Sequence, residues 1–172
     1  DLQLVDPVFG MLTSEERHDM TKKVENACLE EGGEKVISVE AGEYDESYEE
    51  YVKSSNGFEG SAKNTVCSLG ASMTARDEGD RKPNGYHYIT CRFMEDIPLP
   101  EETGRIAAKR TLDLMGGKKI STRKLPVIIE NRSVGRVLGG LAEPVSAGNI
   151  QQKRSFLTQY KGKTLGSKLL TI

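Results

Sequence analysis

The 172-residue sequence is poor in the residue types from which hydrolytic and metal centres are usually built. It has two histidines, His18 and His87, and neither is followed or preceded by a glutamate. A zinc hydrolase needs two or three converging ligands and a carboxylate to manage the proton of the bound water. The sequence shows no such set. The three cysteines, Cys28, Cys67 and Cys91, are far apart and form no CxxC pair, which argues against a zinc knuckle or a disulfide framework. Such cysteine usage fits a reducing, cytoplasmic compartment, with Cys67 and Cys91 acting as small buried hydrophobes in strands.

Also missing are a GxSxG elbow for a serine nucleophile, a GxGxxG or Walker loop for phosphate, and any apolar run near the ~20 residues that cross a bilayer. The first residues, Asp1-Leu2-Gln3-Leu4, lack the basic and apolar regions of a signal peptide. No membrane partner is expected. With 36% hydrophobic residues, the chain can supply a modest core for one sizeable domain.

The net charge of −2 hides an asymmetry. Residues 1–117 carry 13 basic and 24 acidic side chains, whereas 118–172 carry 11 basic and two acidic. A basic tail suits nucleic acid or an acidic partner. No helix-turn-helix, zinc-finger or RNA-recognition signature accompanies it, and this argues against nucleic acid.

What is present reads as alternating helix and sheet. Thr13 and Glu16 have capping-box spacing, predicting a helix that runs to about Glu31 and stops at Gly32-Gly33. Strands are predicted over 35–44, 48–54, 62–77 and 86–95, with turns at Asn56-Gly57 and at Pro83-Asn84-Gly85. The acidic stretch Glu40, Glu43, Asp45, Glu46, Glu49 and Glu50 lacks the oxygen spacing of a calcium loop and reads as a solvated face. Tyr44, Tyr48 and Tyr51 within it are expected to pack in the strands.

A second helix is expected after Pro98 and Pro100, ending at Gly116-Gly117. The short apolar run Pro126-Val127-Ile128-Ile129 reads as a buried strand. Val134, Val137, Leu138, Leu141, Ala142 and Val145 then recur with helical period, which predicts an amphipathic helix packed on the sheet. The fold class implied is α+β, an antiparallel β-meander with packed helices.

Three groups of segments together resemble the TldD/PmbA peptidase family, described as modulators of DNA gyrase. The first is Ser55-Asn56-Gly57-Phe58-Glu59-Gly60 with Thr65-Val66-Cys67-Ser68-Leu69 and Thr74-Ala75-Arg76-Asp77-Glu78-Gly79-Asp80. The second is Gly104-Arg105-Ile106-Ala107-Ala108-Lys109-Arg110-Thr111-Leu112 with Lys119-Ile120-Ser121-Thr122 and Leu125-Pro126-Val127-Ile128-Ile129-Glu130. The third lies within 135–172, including Ser155-Phe156-Leu157, Leu165-Gly166-Ser167 and Leu169-Leu170-Thr171-Ile172.

This resemblance implies a bacterial chain of the N-terminal-type α/β domain of that family. Residues 1–172 would be a single α+β domain or part of one, an internal fragment with the family's N-terminal segment and C-terminal β-rich domain outside it. In the family, the TldD-type subunit carries HExxxH and zinc, and the PmbA-type subunit, also called TldE, lacks the motif and pairs with it. Aligned here, the motif positions fall on Leu138, Gly139 and Glu143, a degenerate set with no catalytic, metal or cofactor-binding residue. The resemblance therefore implies a non-catalytic PmbA-type subunit, with zinc in the TldD-type partner. Peptide or unfolded-protein substrates would be cleaved by the complex in peptide maturation or degradation. Two alternatives stay open: a self-sufficient metallopeptidase with ligands outside this fragment, and a modulator that binds nucleic acid or gyrase through residues 118–172.

Overall fold

The computed structural model describes residues 3–160, 162–164 and 166–169. The chain divides into two compact units, Asp1–Lys119 and Ile120–Ile172, without a low-complexity linker between them.

In the first unit, helix α1 (Ser14–Gly32) begins with the capping box that the sequence predicts. The Thr13 hydroxyl accepts from the Glu16 amide at 3.2 Å, and the Glu16 carboxylate accepts from the Thr13 amide at 2.8 Å. Two of the donors orphaned at a helix start are thereby satisfied. The helix ends where Gly33 takes φ +53°, and its amide donates to the Leu29 carbonyl.

Strands β1 (Val36–Lys53), β2 (Glu59–Ala75) and β3 (Asn84–Cys91) form an antiparallel sheet in the order β1-β2-β3. This is the meander expected, with two differences. Asn84 and Gly85, predicted as part of a turn, are the first residues of β3, paired with Thr74 and Met73. The two strands predicted over 35–44 and 48–54 are a single strand, because β1 pairs with β2 from Ser38↔Thr74 to Lys53↔Glu59 without a break. The acidic residues between them do not interrupt the ladder, since backbone groups form it whatever the side chains. Asn56-Gly57 makes the predicted turn: Gly57 has φ +91° and the Ser54 amide donates to the Phe58 carbonyl at 2.8 Å.

Helix α2 (Pro100–Leu112) starts with Pro at its first position, where the missing N–H costs nothing, and Glu101 and Glu102 oppose the positive helix end. Helices α1 and α2 cover one face of the sheet. There Val24, Cys28, Leu69, Ala71, Met73, Ala75, Ala107 and Ala108 form the buried core. Alternation along β2 sends its odd-numbered side chains into this core and its even-numbered ones to the opposite face.

In the second unit, helix α3 (Asn131–Val145) matches the helical periodicity, and Ser146 links it to the short α4 (Ala147–Gln151). Two expectations are corrected. Residues 126–129 form no strand and are exposed, with Ile128 fully so, because no described strand offers them a ladder to join. Helix α3 buries none of its residues, so its apolar positions are not packed into a core. Parts of the third resembling group, Leu165 and Leu170 to Ile172, lie outside the described residues.

Candidate functional site

Leu138, Gly139 and Glu143 all lie on α3. Leu138 is half-buried, and Gly139 and Glu143 are exposed. A Cβ added at Gly139 would meet nothing within 4 Å. Nearby, the Glu143 carbonyl accepts from the Asn149 side-chain amide at 2.9 Å and from the Ser146 amide at 3.1 Å, so this end of α3 is held by backbone capping. Helix geometry puts Gly139 and Glu143 on one face, four residues apart.

That pair of positions offers one carboxylate and no second donor. Leucine has no lone pair to give a cation and glycine has no side chain, so the zinc implied by the resemblance does not fit α3. Among the described residues, no three His, Cys, Asp or Glu side chains converge to hold a metal. The histidines are on separate elements. His18 is exposed on α1, and His87 is buried on β3 opposite Ala71, on the helix-covered side of the sheet.

The cysteines reveal a proximity that the sequence does not announce. Cys67 and Cys91, 24 residues apart, are direct partners across β2 and β3, and the Cys67 thiol donates to the Cys91 carbonyl at 3.5 Å. Burial pushes the Cys67 thiol up to about 11, helped by Cys91, Asp6, Glu43 and Asp45 nearby. Burial likewise raises Cys28 to about 11. The Cys91 thiol, raised by burial and by Asp96, donates to the Asp96 carbonyl at 3.6 Å. Thiols held protonated in this way are weak nucleophiles and weak metal ligands. Cys67 is buried as a strand hydrophobe should be, whereas Cys91 is half-buried.

The acidic stretch is divided by strand alternation. Glu43 and Asp45 share the helix-covered face, where Arg17 of α1 pairs with Asp45 at 2.5 Å. Burial, then the Asp45 charge, raises the Glu43 carboxyl against the opposing pull of Arg17. Glu40, Glu46 and Glu50 lie on the other face beside Tyr44 and Tyr48. Against expectation, Tyr44, Tyr48 and Tyr51 are not packed away: they are 53%, 48% and 58% exposed. Helices α1 and α2 pack on the opposite face from Tyr44 and Tyr48, and the Tyr51 hydroxyl turns to Glu59.

A second polar knot closes the other end of the sheet. The Asp77 carboxylate accepts from the Glu78 amide at 2.8 Å and the Gly116 amide at 3.0 Å, and pairs with Arg81 at 3.1 Å. Arg81 also donates to the Gly117 carbonyl at 2.5 Å. The arrangement ties the loop after β2 to the segment after α2. It is a structural clasp: its donors go to the Asp77 carboxylate and to the Leu114 and Gly117 carbonyls.

Comparison with known proteins accords with this architecture. The PmbA/TldA metallopeptidase central domain matches residues 9–115, and the C-terminal domain of the same family matches residues 122–172. The metalloprotease PmbA of Escherichia coli O157:H7 is 30% identical over 173 aligned positions, covering all of this chain and 38% of that protein. A crystal structure from Bacteroides thetaiotaomicron, named as a candidate modulator of DNA gyrase, superposes with a TM-score of 0.90 at 32% identity, over 97% of this chain and 38% of that one. One from Thermotoga maritima, similarly named, gives 0.81 at 26% identity over 93% of this chain and 36% of that one. The chain thus spans well under half the length of these relatives. With its α+β fold shared and two consecutive domains matched in order, the chain belongs to the PmbA/TldD metallopeptidase family.

Proposed function

We propose that this chain is part of a PmbA-type, non-catalytic subunit that pairs in the cytoplasm with a TldD-type zinc peptidase acting on peptides or unfolded proteins. The observation that carries the reading is the chemistry of α3: Leu138 and Gly139 stand where the family resemblance puts the first ligand and the base, and neither has a donor atom. A helix with these side chains supplies packing surface and no Lewis-acid chemistry. The heterodimer would place substrate and zinc on the partner, with this subunit shaping access in peptide maturation or degradation.

The test is cleavage of a fluorogenic peptide by the full-length protein alone, by a TldD-type protein from the same genome alone, and by the two together. Cleavage that requires both chains, and that survives Glu143→Ala in this one, is the expected result. Zinc-dependent cleavage by this chain alone would overturn the reading.

A second reading, a self-sufficient metallopeptidase with its ligands outside residues 1–172, is favoured by the name metalloprotease borne by the E. coli relative. Metal analysis of the purified full-length protein separates the two. About one zinc per chain supports the second reading, and none supports the first.

A further inference from the structure

We propose that Cys67 and Cys91 form a reversible, oxidant-responsive disulfide that pins the end of β3 to β2. The two are direct partners in the ladder, and theirs is the last pair, since β3 ends at Cys91. The register also gives the kind of pair. The Ala75 amide donates to the Pro83 carbonyl at 2.9 Å, and hydrogen-bonded pairs recur at every second position of an antiparallel ladder. Cys67 is an even number of residues from Ala75, so Cys67 and Cys91 are a hydrogen-bonded pair with Cα atoms about 5.5 Å apart. Ser68 and Thr90 belong to the closer, non-hydrogen-bonded series, and their hydroxyls meet at 3.1 Å. A Cα separation of about 5.5 Å is within the range of about 4.4–6.8 Å that a disulfide spans. No further pair follows this one, so the strand end is free to adjust as the bond closes.

Both side chains lie on the helix-covered face. Cys67 is 3% exposed there, and Cys91, directly opposite, is half-buried. The Cys67 thiol reaches across the pair to the Cys91 carbonyl at 3.5 Å, while the Cys91 thiol turns to the Asp96 carbonyl at 3.6 Å. Rotation of the Cys91 side chain away from Asp96 brings its sulfur toward Cys67. Hydrogen bonds hold the backbone on either side. The Thr65 hydroxyl donates to the Arg92 carbonyl at 3.1 Å and accepts from the Asp6 amide at 2.8 Å, and the Asp6 carboxylate accepts from the Met94 amide at 2.8 Å. Cys28, fully buried on α1, has no place in the ladder.

The oxidant is a low-molecular-weight disulfide such as glutathione disulfide. Cys91, the more accessible thiol, reacts first: it loses its proton to solvent, and its thiolate attacks one sulfur of the oxidant. A bond forms between Cys91 and glutathione, and one glutathione thiolate leaves. Cys67 then gives up its proton, and its thiolate attacks the Cys91 sulfur, forming the internal bond and expelling the second glutathione thiolate. Two cysteine thiols are oxidised, one glutathione disulfide is reduced, and the two released protons go to the two glutathione thiolates. Burial keeps both thiols above their ordinary range, which slows each attack. The pair therefore stays as thiols in a reducing compartment and closes under a sustained rise in oxidant. The inference goes beyond the subunit reading and does not depend on whether the chain is catalytic.

Incubation of the full-length protein with glutathione disulfide, then non-reducing digestion and peptide mass spectrometry, tests it. The expected result is a linked Cys67–Cys91 peptide pair, lighter by two hydrogens than the free peptides, that dithiothreitol reverses and that leaves Cys28 unmodified. Amide hydrogen exchange over residues 89–93 should slow about tenfold in the oxidised protein, because the end of the ladder no longer frays. In Cys67→Ser, glutathione should remain on Cys91, since no second thiol expels it. Cys91→Ser, at the half-buried position, should leave Cys67 free of glutathione and keeps the test valid if Cys67→Ser unfolds. Absence of the linked pair in the unaltered protein, whether the thiols stay free or glutathione persists on Cys91, would overturn the proposal. So would a linked pair whose strand end exchanges as fast as before.

Discussion

Gly104 of α2 rests on the α1 backbone at Val24, so closely that a Cβ at position 104 would lie 2.2 Å from the Val24 carbonyl oxygen. Ala27, Ala107 and Ala108, all buried, continue this contact between the two helices. Small side chains bring the helices together above the sheet, and the core has no slack at this point.

Gly104→Ala should therefore force α1 and α2 apart, because the Val24 carbonyl oxygen, the Cys28 amide nitrogen and the Ala27 Cβ that crowd this position cannot rotate away. A loss of about 1–3 kcal/mol is expected from overpacking. Urea denaturation would show it as a lower midpoint with an unchanged slope.

The start of α1 depends on a local device. Thr13→Ala removes the hydroxyl that accepts from the Glu16 amide and should cost roughly 1 kcal/mol. Thr13→Asn, which can cap in the same way, should recover most of the loss. Thermal melts of the three proteins check this.

The clasp at Asp77 predicts an acid limb in the stability profile. Hydrogen bonds from the Glu78 and Gly116 amides, with Arg81 and Lys35 adding their charges, hold the Asp77 carboxyl below its ordinary value. The folded state thus favours the ionised form. The stabilisation is complete above the unfolded carboxyl's pKa, about 3.9, and is lost as the pH falls through the lower folded value. Asp77→Asn should destabilise the protein at pH 7 and flatten the decline below pH 4, as read from melting temperature against pH.

The thiols should respond to alkylation in order of burial. At pH 8, Cys28 and Cys67, both pushed up to about 11, should resist iodoacetamide in the native protein, while half-buried Cys91 reacts first. In urea all three should be modified equally. Peptide mass spectrometry resolves the three sites.

Local chemistry was readable from sequence wherever a signal is complete within a few residues. Thr13 with Glu16, and Asn56 with Gly57, each carry both halves of their own hydrogen-bonding logic, and both form as expected. Readings that depended on a distant neighbour were less secure. The run at 126–129 looked buried because it is apolar, but burial needs a covering element and none of the described strands pairs with it. The gap between the strands predicted over 35–44 and 48–54 closes because β2 supplies an unbroken partner strand, and Arg17 meets Asp45 there. The candidate site divides in the same way: the donor-free character of Leu138 and Gly139 is a property of residue type, while the pairing of Cys67 with Cys91 depends on register.

The sequence by itself determined the capped start of α1, the Asn56-Gly57 turn, the charge of each half and the absence of ligand side chains at Leu138 and Gly139, because these are properties of single residues and short spacings. Tertiary structure alone decided that Tyr44 and Tyr48 share a sheet face with Tyr86 and Tyr88, and that Glu40, Glu46 and Glu50 lie on that same face. The reason is that strand register joins residues some 40 positions apart, and only the packing of α1 and α2 decides which side of the sheet carries the core.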